Sequence, residues 1–209
     1  MRELPFILGG VGTTVQLAVI ALAMGFVIGL PLALMEVYGS RGVRWVVSTY
    51  GTLFRSVPLL VLIFIFYFIV AKVAELSNFS AAALAMGLRS AAYQSEIFRG
   101  AIQSVGTGQM TAARSLGMTR FQAIRHVVLP QALRLAIPGW GNEAAVVLKD
   151  TSFAYAIGVA ELMRRAEYAS ARTYEPFAIF TGCAAVYFLM TFGLTRLLTR
   201  VESAYRVRT

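Results

Sequence analysis

Four polar residues stand inside apolar runs, where a charged or strongly polar group is costly: Arg89, Glu96, Asn142 and Glu143. Such groups within a membrane span face a cavity or a partner, so each is a candidate substrate-binding residue. Their types suit a zwitterion. Arg89 can grip a carboxylate through two parallel hydrogen bonds, and Glu143 can meet an α-ammonium or a cationic side chain. Asn142 both donates and accepts, which suits either group. The plainer alternative is internal pairing of Arg89 with Glu143 or with Glu96, which lies two helical turns along the same face. Glu96 also sits beside Arg99, towards the end of its apolar run. A second polar knot, Lys149-Asp150-Thr151-Ser152, reads as an outer gate or as a helix break capped by Asp150, Thr151 and Ser152.

Other chemistries lack their residues. His126 is the only histidine and Cys183 the only cysteine, so neither a disulfide within the chain nor a His or Cys metal cluster can form. No metal ligands are assigned. A membrane-embedded enzyme working through Glu96, Glu143 and Asp150 is disfavoured, because no nucleophile is paired with a base. Gly9, Gly10 and Gly12 follow no strand and precede no Lys or Ser at phosphate-loop spacing. They read as a flexible lead into the first span.

The elements that must carry these residues are helices in a bilayer. Of 209 residues 58% are hydrophobic and 14% charged, against roughly 25% charged in soluble domains. The expectation is an all-α polytopic membrane protein, a single transmembrane domain over 1–209 with five spans. They fall at about 11–35, 46–71, 79–98, 135–157 and 176–195. The uncharged stretch from Leu4 to Met35 exceeds the roughly 7–15 apolar residues of a signal peptide, so it reads as a retained span. Phe64, Phe66, Tyr67 and Phe68 crowd span two and read as lipid-facing or subunit-packing, not as an aromatic cage.

Charge fixes the expected orientation. The net charge is +9. Arg41, Arg44, Arg99, Arg114, Arg120, Arg125, Arg134, Arg196, Arg200, Arg206 and Arg208 share one side of a five-span chain. Arg2, Lys72, Arg164, Arg165 and Arg172 share the other, largely offset by acids. The Lys and Arg excess marks the cytoplasmic side, placing the N-terminus outside and the C-terminus inside. Basic loops account for the net charge without a nucleic-acid partner. The outer loop with Glu161, Arg164, Arg165, Glu167 and Arg172 reads as solvated, and as the face open to an external partner.

Between spans three and four lies a basic insert, residues 105–130. Thr107 can cap a helix through "GQMTAARSL", and Gly117 can end it in the left-handed conformation. Thr119 and Gln122 make a capping box for a second helix. There Phe121, Ile124 and Val128 share a face, and Pro130 is expected to stop the helix. Ala112, Ala113, Leu116 and Gly117 give the first helix a small-residue surface. Geometry alone favours an amphipathic pair lying on lipid headgroups, its Arg residues held by anionic lipid.

The motif "TAARSLGMTRFQAIRHVVLP" resembles the EAA loop of permease subunits in binding-protein-dependent ABC importers. "SAAYQSEIFRGAIQSVGTGQ", "LPQALRLAIPGWGNE" and "LKDTSFAYAIGVAEL" resemble, in order, signatures of the polar amino-acid subfamily. The resemblance implies a non-catalytic chain of the cytoplasmic (inner) membrane. It implies two permease subunits forming a pathway, two ATP-binding cassette subunits beneath them and an extracytoplasmic binding protein delivering the amino acid. ATP and Mg would be bound by the ATPase, and no cofactor by this chain. By the same resemblance Thr111, Ala112, Ala113, Leu116, Gly117 and Pro130 belong to the coupling loop, whose short helix seats in the ATPase. Two departures stand out: Thr111 replaces the usual leading Glu, and "RSVP" at 55–58 replaces Arg-Gly-Thr-Pro. The Asn142-Glu143 pair is similar to that of permeases for basic amino acids, with neutral or acidic substrates such as Gln or Glu as the alternative. A structural membrane adaptor is the remaining rival, and it has little use for intramembrane Arg and Glu.

Overall fold

Small residues recur every fourth position through the first long helix, at Ala21, Gly25, Gly29 and Ala33, and all four are buried. They set how closely the chain can pack on itself. The computed structural model describes residues 3–205, so Arg2, Arg206 and Arg208 of the charge count lie outside the described residues. The order is α1 (Leu4–Leu8), α2 (Val11–Tyr38), α3 (Arg41–Ser56), α4 (Leu59–Ile65), α5 (Ala71–Ala74) and α6 (Asn78–Ser104). Then follow α7 (Thr107–Ser115), α8 (Arg120–Ala123), α9 (Leu129–Asp150), α10 (Leu162–Thr173) and α11 (Pro176–Tyr205). No strand occurs among the described residues.

The small stripe of α2 lies on α6, which answers with buried Ala81, Ala82, Ala85, Ala91 and Ala92. A Cβ at Gly29 would come within 2.8 Å of the Ala91 carbonyl oxygen. Helices in lipid gain association energy from such close approach, since bilayer and side chains are equally apolar. α9 packs on α6 from another side, and α11 on α9. The arrangement makes α6 the central helix.

Among the described residues two helical stretches are long and apolar enough to cross a bilayer, Leu4–Tyr38 and Pro176–Ala204. A third arises if Arg41–Ser56 and Leu59–Ala74 count as one span, bent by 104°. The bend falls inside the span expected at about 46–71. Pro58 disfavours helical backbone at Val57, whose φ −86 and ψ 130 are extended, and the chain turns there. Beyond the turn a π-helical turn, Phe66–Val70, joins α4 to α5.

Pro130 does not stop its helix. A π-helical turn, Ile124–Val128, joins α8 to α9, and the Leu129 N–H bonds to the Ile124 carbonyl. This wider turn leads directly into the proline, which occupies the first turn of α9, where a missing N–H is tolerated. Two further expectations change. Gly106, not Thr107, caps α7, and Phe121 is 69% exposed while Val128 is buried. Gly10 is no flexible lead: a Cβ there would lie 2.6 Å from the Leu162 nitrogen, so it is a close-packing contact with the start of α10.

Candidate functional site

α6 and α9 bring together polar residues expected in spans three and four. Arg89 donates from Nη1 to Asp150 Oδ2 at 2.9 Å, with side chains 20% and 19% exposed. Its guanidinium lies 4.8 Å from the centre of the Tyr93 ring, one turn along. Arg89 Nε is buried and meets no acceptor among the described residues. Glu143 is 7% exposed, and its Oε1 accepts from Ser90 Oγ at 2.9 Å. Gln94 Nε2 donates to Ser90 Oγ and to the Leu22 carbonyl, both at 3.1 Å. Trp140 Nε1 donates to Gln94 Oε1 at 2.9 Å. A hydrogen-bonded chain thus runs from Trp140 through Gln94 and Ser90 to Glu143. Gly25 leaves room for it, since a Cβ there would collide with the Gln94 amide.

The internal pairings expected for Arg89 are both corrected. It meets Asp150, neither Glu143 nor Glu96. Glu96 points to a different cluster, held by Arg99 and by Arg55 at 3.3 Å, while Arg99 also lies 3.8 Å from Glu36. These residues tie α2, α3 and α6 together. Asn142 is exposed on α9, one residue from the buried Glu143. The knot after α9 is a break as well: a 3-10 turn, Thr151–Ile157, follows Asp150. Asp150 is no local cap there, because it is spent on Arg89. Gln94, Ser90 and Trp140 are the members sequence reading left out of the site, and Asp150 enters it from the polar knot. The signal for two of them was the i, i+4 pair Ser90 and Gln94 in an alanine-rich helix.

The insert forms a second surface. Gly117 takes φ 81, its N–H bonds to the Arg114 carbonyl, and the Met118 N–H bonds to the Ala113 carbonyl. That closes α7 as a Schellman motif. The capping box is formed: Thr119 N–H reaches Gln122 Oε1 at 2.8 Å and Gln122 N–H reaches Thr119 Oγ1 at 3.3 Å. Thr111, Ala112 and Leu116 are exposed, Leu116 at 81%, whereas Ala113 is buried. Thr111 Oγ1 donates back to the Thr107 carbonyl at 3.1 Å, so its side chain is satisfied within α7.

At the other end Glu161 corrects the picture of a solvated loop. It is fully buried and caps α10, accepting from Met163 N–H at 2.8 Å and Arg164 N–H at 2.7 Å. The Tyr187 hydroxyl donates to it at 2.9 Å. Burial pushes its carboxyl up to about 7 despite these three donors.

Long apolar helices packed through small residues around a charged seam, with an exposed helical insert, are the frame of a multi-pass membrane protein. Residues 25–207 match the family model described as "Binding-protein-dependent transport system inner membrane component", and the chain belongs to that family. It is 38% identical to the nopaline transport system permease protein NocM of Agrobacterium fabrum, over 97% of this chain and 88% of that one. Identity to the L-cystine transport system permease protein TcyB of Bacillus subtilis is also 38%, over 91% and 82%. A crystal structure of an amino acid ABC transporter with histidines superposes with a TM-score of 0.87. That chain is 36% identical, with 96% of this chain and 94% of the other covered. The protein is a permease of the amino-acid ABC importers.

Proposed function

We propose that the chain, with a second permease subunit, forms the pathway of an ATP-driven importer of polar amino acids, basic ones (Arg, Lys or His) above all. The observation that carries this is the Arg89–Asp150 pair, about one-fifth open, with Asp150 two turns along α9 from Glu143 and Arg89 next to Ser90, which bonds Glu143. An α-amino acid presents the same two charges in reverse. Its carboxylate takes Arg89 from Asp150, its α-ammonium takes Asp150, and Glu143 receives a cationic side chain. Each ion loses one partner and gains another, so little uncompensated charge is created. Asn142 completes the polar rim, and Glu96 holds the helices that carry Arg89.

On this reading the chain is one transmembrane domain crossing five times, N-terminus outside and C-terminus in the cytoplasm. α6 and α9 are the crossings whose charges line the pathway. α7 is the coupling helix, seated through Thr111, Ala112 and Leu116 in an ATP-binding cassette subunit. That partner binds and hydrolyses ATP with Mg, and this chain holds no cofactor. Gly117 turns the chain back towards Pro130 and α9, so movement of the ATPase reaches the polar site along one nearly continuous helix. An extracytoplasmic binding protein delivers the substrate.

Uptake by the complex reconstituted with its ATPase and binding protein, with Arg, Gln and Glu as separate ligands, tests the proposal. ATP-dependent uptake with Arg preferred is expected. Preference for Gln or Glu would overturn the basic-substrate reading, and uptake without ATP would overturn the importer itself.

A further inference from the structure

A cavity of about 500 Å³ opens where the last turn of α2, the first turns of α3 and the last turns of α6 meet. Three guanidiniums line it, Arg41, Arg44 and Arg99, against a single carboxylate, Glu36. Arg99 is already committed to Glu96 and Glu36. Arg41 and Arg44 are exposed and make no ion pair among the described residues. The Gln103 amide adds a further polar group at the wall.

Beside the cavity α3 presents an apolar outer stripe: Trp45 is 70% exposed, Val46 59% and Leu53 54%. α3 touches the bundle through Val47 and Gly51, which are buried, and its direction differs by 104° from the helical segment after it. Free guanidiniums next to a tryptophan and aliphatic side chains match a bilayer at headgroup depth, with charge at the phosphates and the ring at the boundary. A second copy of the chain fits this face poorly, because a twofold contact centred on it would crowd four guanidiniums together.

We propose that this cavity binds the headgroup of an anionic phospholipid, with Arg41 and Arg44 on the phosphate and the acyl chains along Trp45 and Val46. It rests on the reading that this basic end of the bundle is the cytoplasmic face, where anionic lipid attracts basic segments. The bound lipid would brace α3, and with it Arg55, whose bond to Glu96 reaches the central helix.

The test uses the complex with its ATP-binding subunits, stripped of lipid in neutral detergent, and titrated with phosphatidylglycerol while native mass spectrometry counts bound lipid. R41Q and R44Q should each weaken binding about fivefold, and the double variant about thirtyfold. R196Q/R200Q, a basic pair elsewhere, should leave it unchanged. Equal binding of phosphatidylcholine, an unchanged R41Q/R44Q variant or an equal loss in R196Q/R200Q would each overturn the proposal. So would saturation by inorganic phosphate at the same affinity, or disulfide crosslinking of W45C between two copies in the lipid-free complex. If the double variant fails to fold, the single variants and the charge-keeping R41K/R44K, which should retain binding, decide. Orientation is separable: labelling of W45C by a membrane-impermeant thiol reagent from outside intact cells would overturn the cytoplasmic placement, whatever the lipid titration shows.

Discussion

Arg89 and Asp150 hold one another at 2.9 Å, in a place where neither could stand alone. Removing one partner leaves a charge in a poorly hydrated seam, and removing both does not. R89Q should therefore lower stability by about 1–3 kcal/mol, while R89Q/D150N should regain most of it and still fail to transport. A thermal melt read alongside uptake separates the two. Recovery of uptake in the double variant would make the pair a mere clasp. Glu161 poses a different residue-scale question, because its carboxyl sits near 7 in the folded protein and near 4.3 when unfolded. Between those values the native state keeps a proton that the unfolded chain releases, so stability falls as pH rises from about 5 to about 7. Melting temperature of the parent should drop across that window. E161Q should flatten the profile, and a parallel slope in both would remove Glu161 as its source.

At the scale of elements, the local devices were legible and the distant partnerships were not. Gly117 as the end of α7 and the Thr119–Gln122 box follow from a few consecutive residues, and the structure contains both. Pro130 reads as a stop from its missing N–H, whereas the preceding π-helical turn carries the helix through it. The bend at Val57–Pro58 was hidden by apolar residues continuing on the far side, although the proline itself marked it. Spacing puts Phe121 on one face with Ile124 and Val128, but the wider turn after Ala123 rotates the residues that follow relative to it. The Ser90–Glu143 and Arg89–Asp150 contacts join residues 53 and 61 apart, and only the packing of α6 on α9 selects them. The turn proposed for coupling yields its own prediction. G117V places a β-branched residue at φ 81, costing about 1–2 kcal/mol locally. It should uncouple the complex, leaving ATP hydrolysis without uptake. Normal uptake with the ATPase bound would detach Gly117 from coupling.

Over the whole molecule, two surfaces of unlike character stand at either end of a charged seam. One is the exposed insert with Leu116 at its turn, and the other is the α10 region clamped by Glu161. The seam between them lies on α6, the helix against which α2, α3 and α9 all pack. On the proposed reading, a change at the insert reaches the polar site by moving α9 against α6. The central claim is that this seam recognises the amino acid by charge. Uptake of Arg and of Gln by proteoliposomes carrying the parent complex or E143Q tests it most directly. E143Q should cut Arg uptake about tenfold or more, the worth of one charge-assisted hydrogen bond, and leave Gln uptake nearly intact. An equal loss for both amino acids, or no loss for Arg, would contradict it.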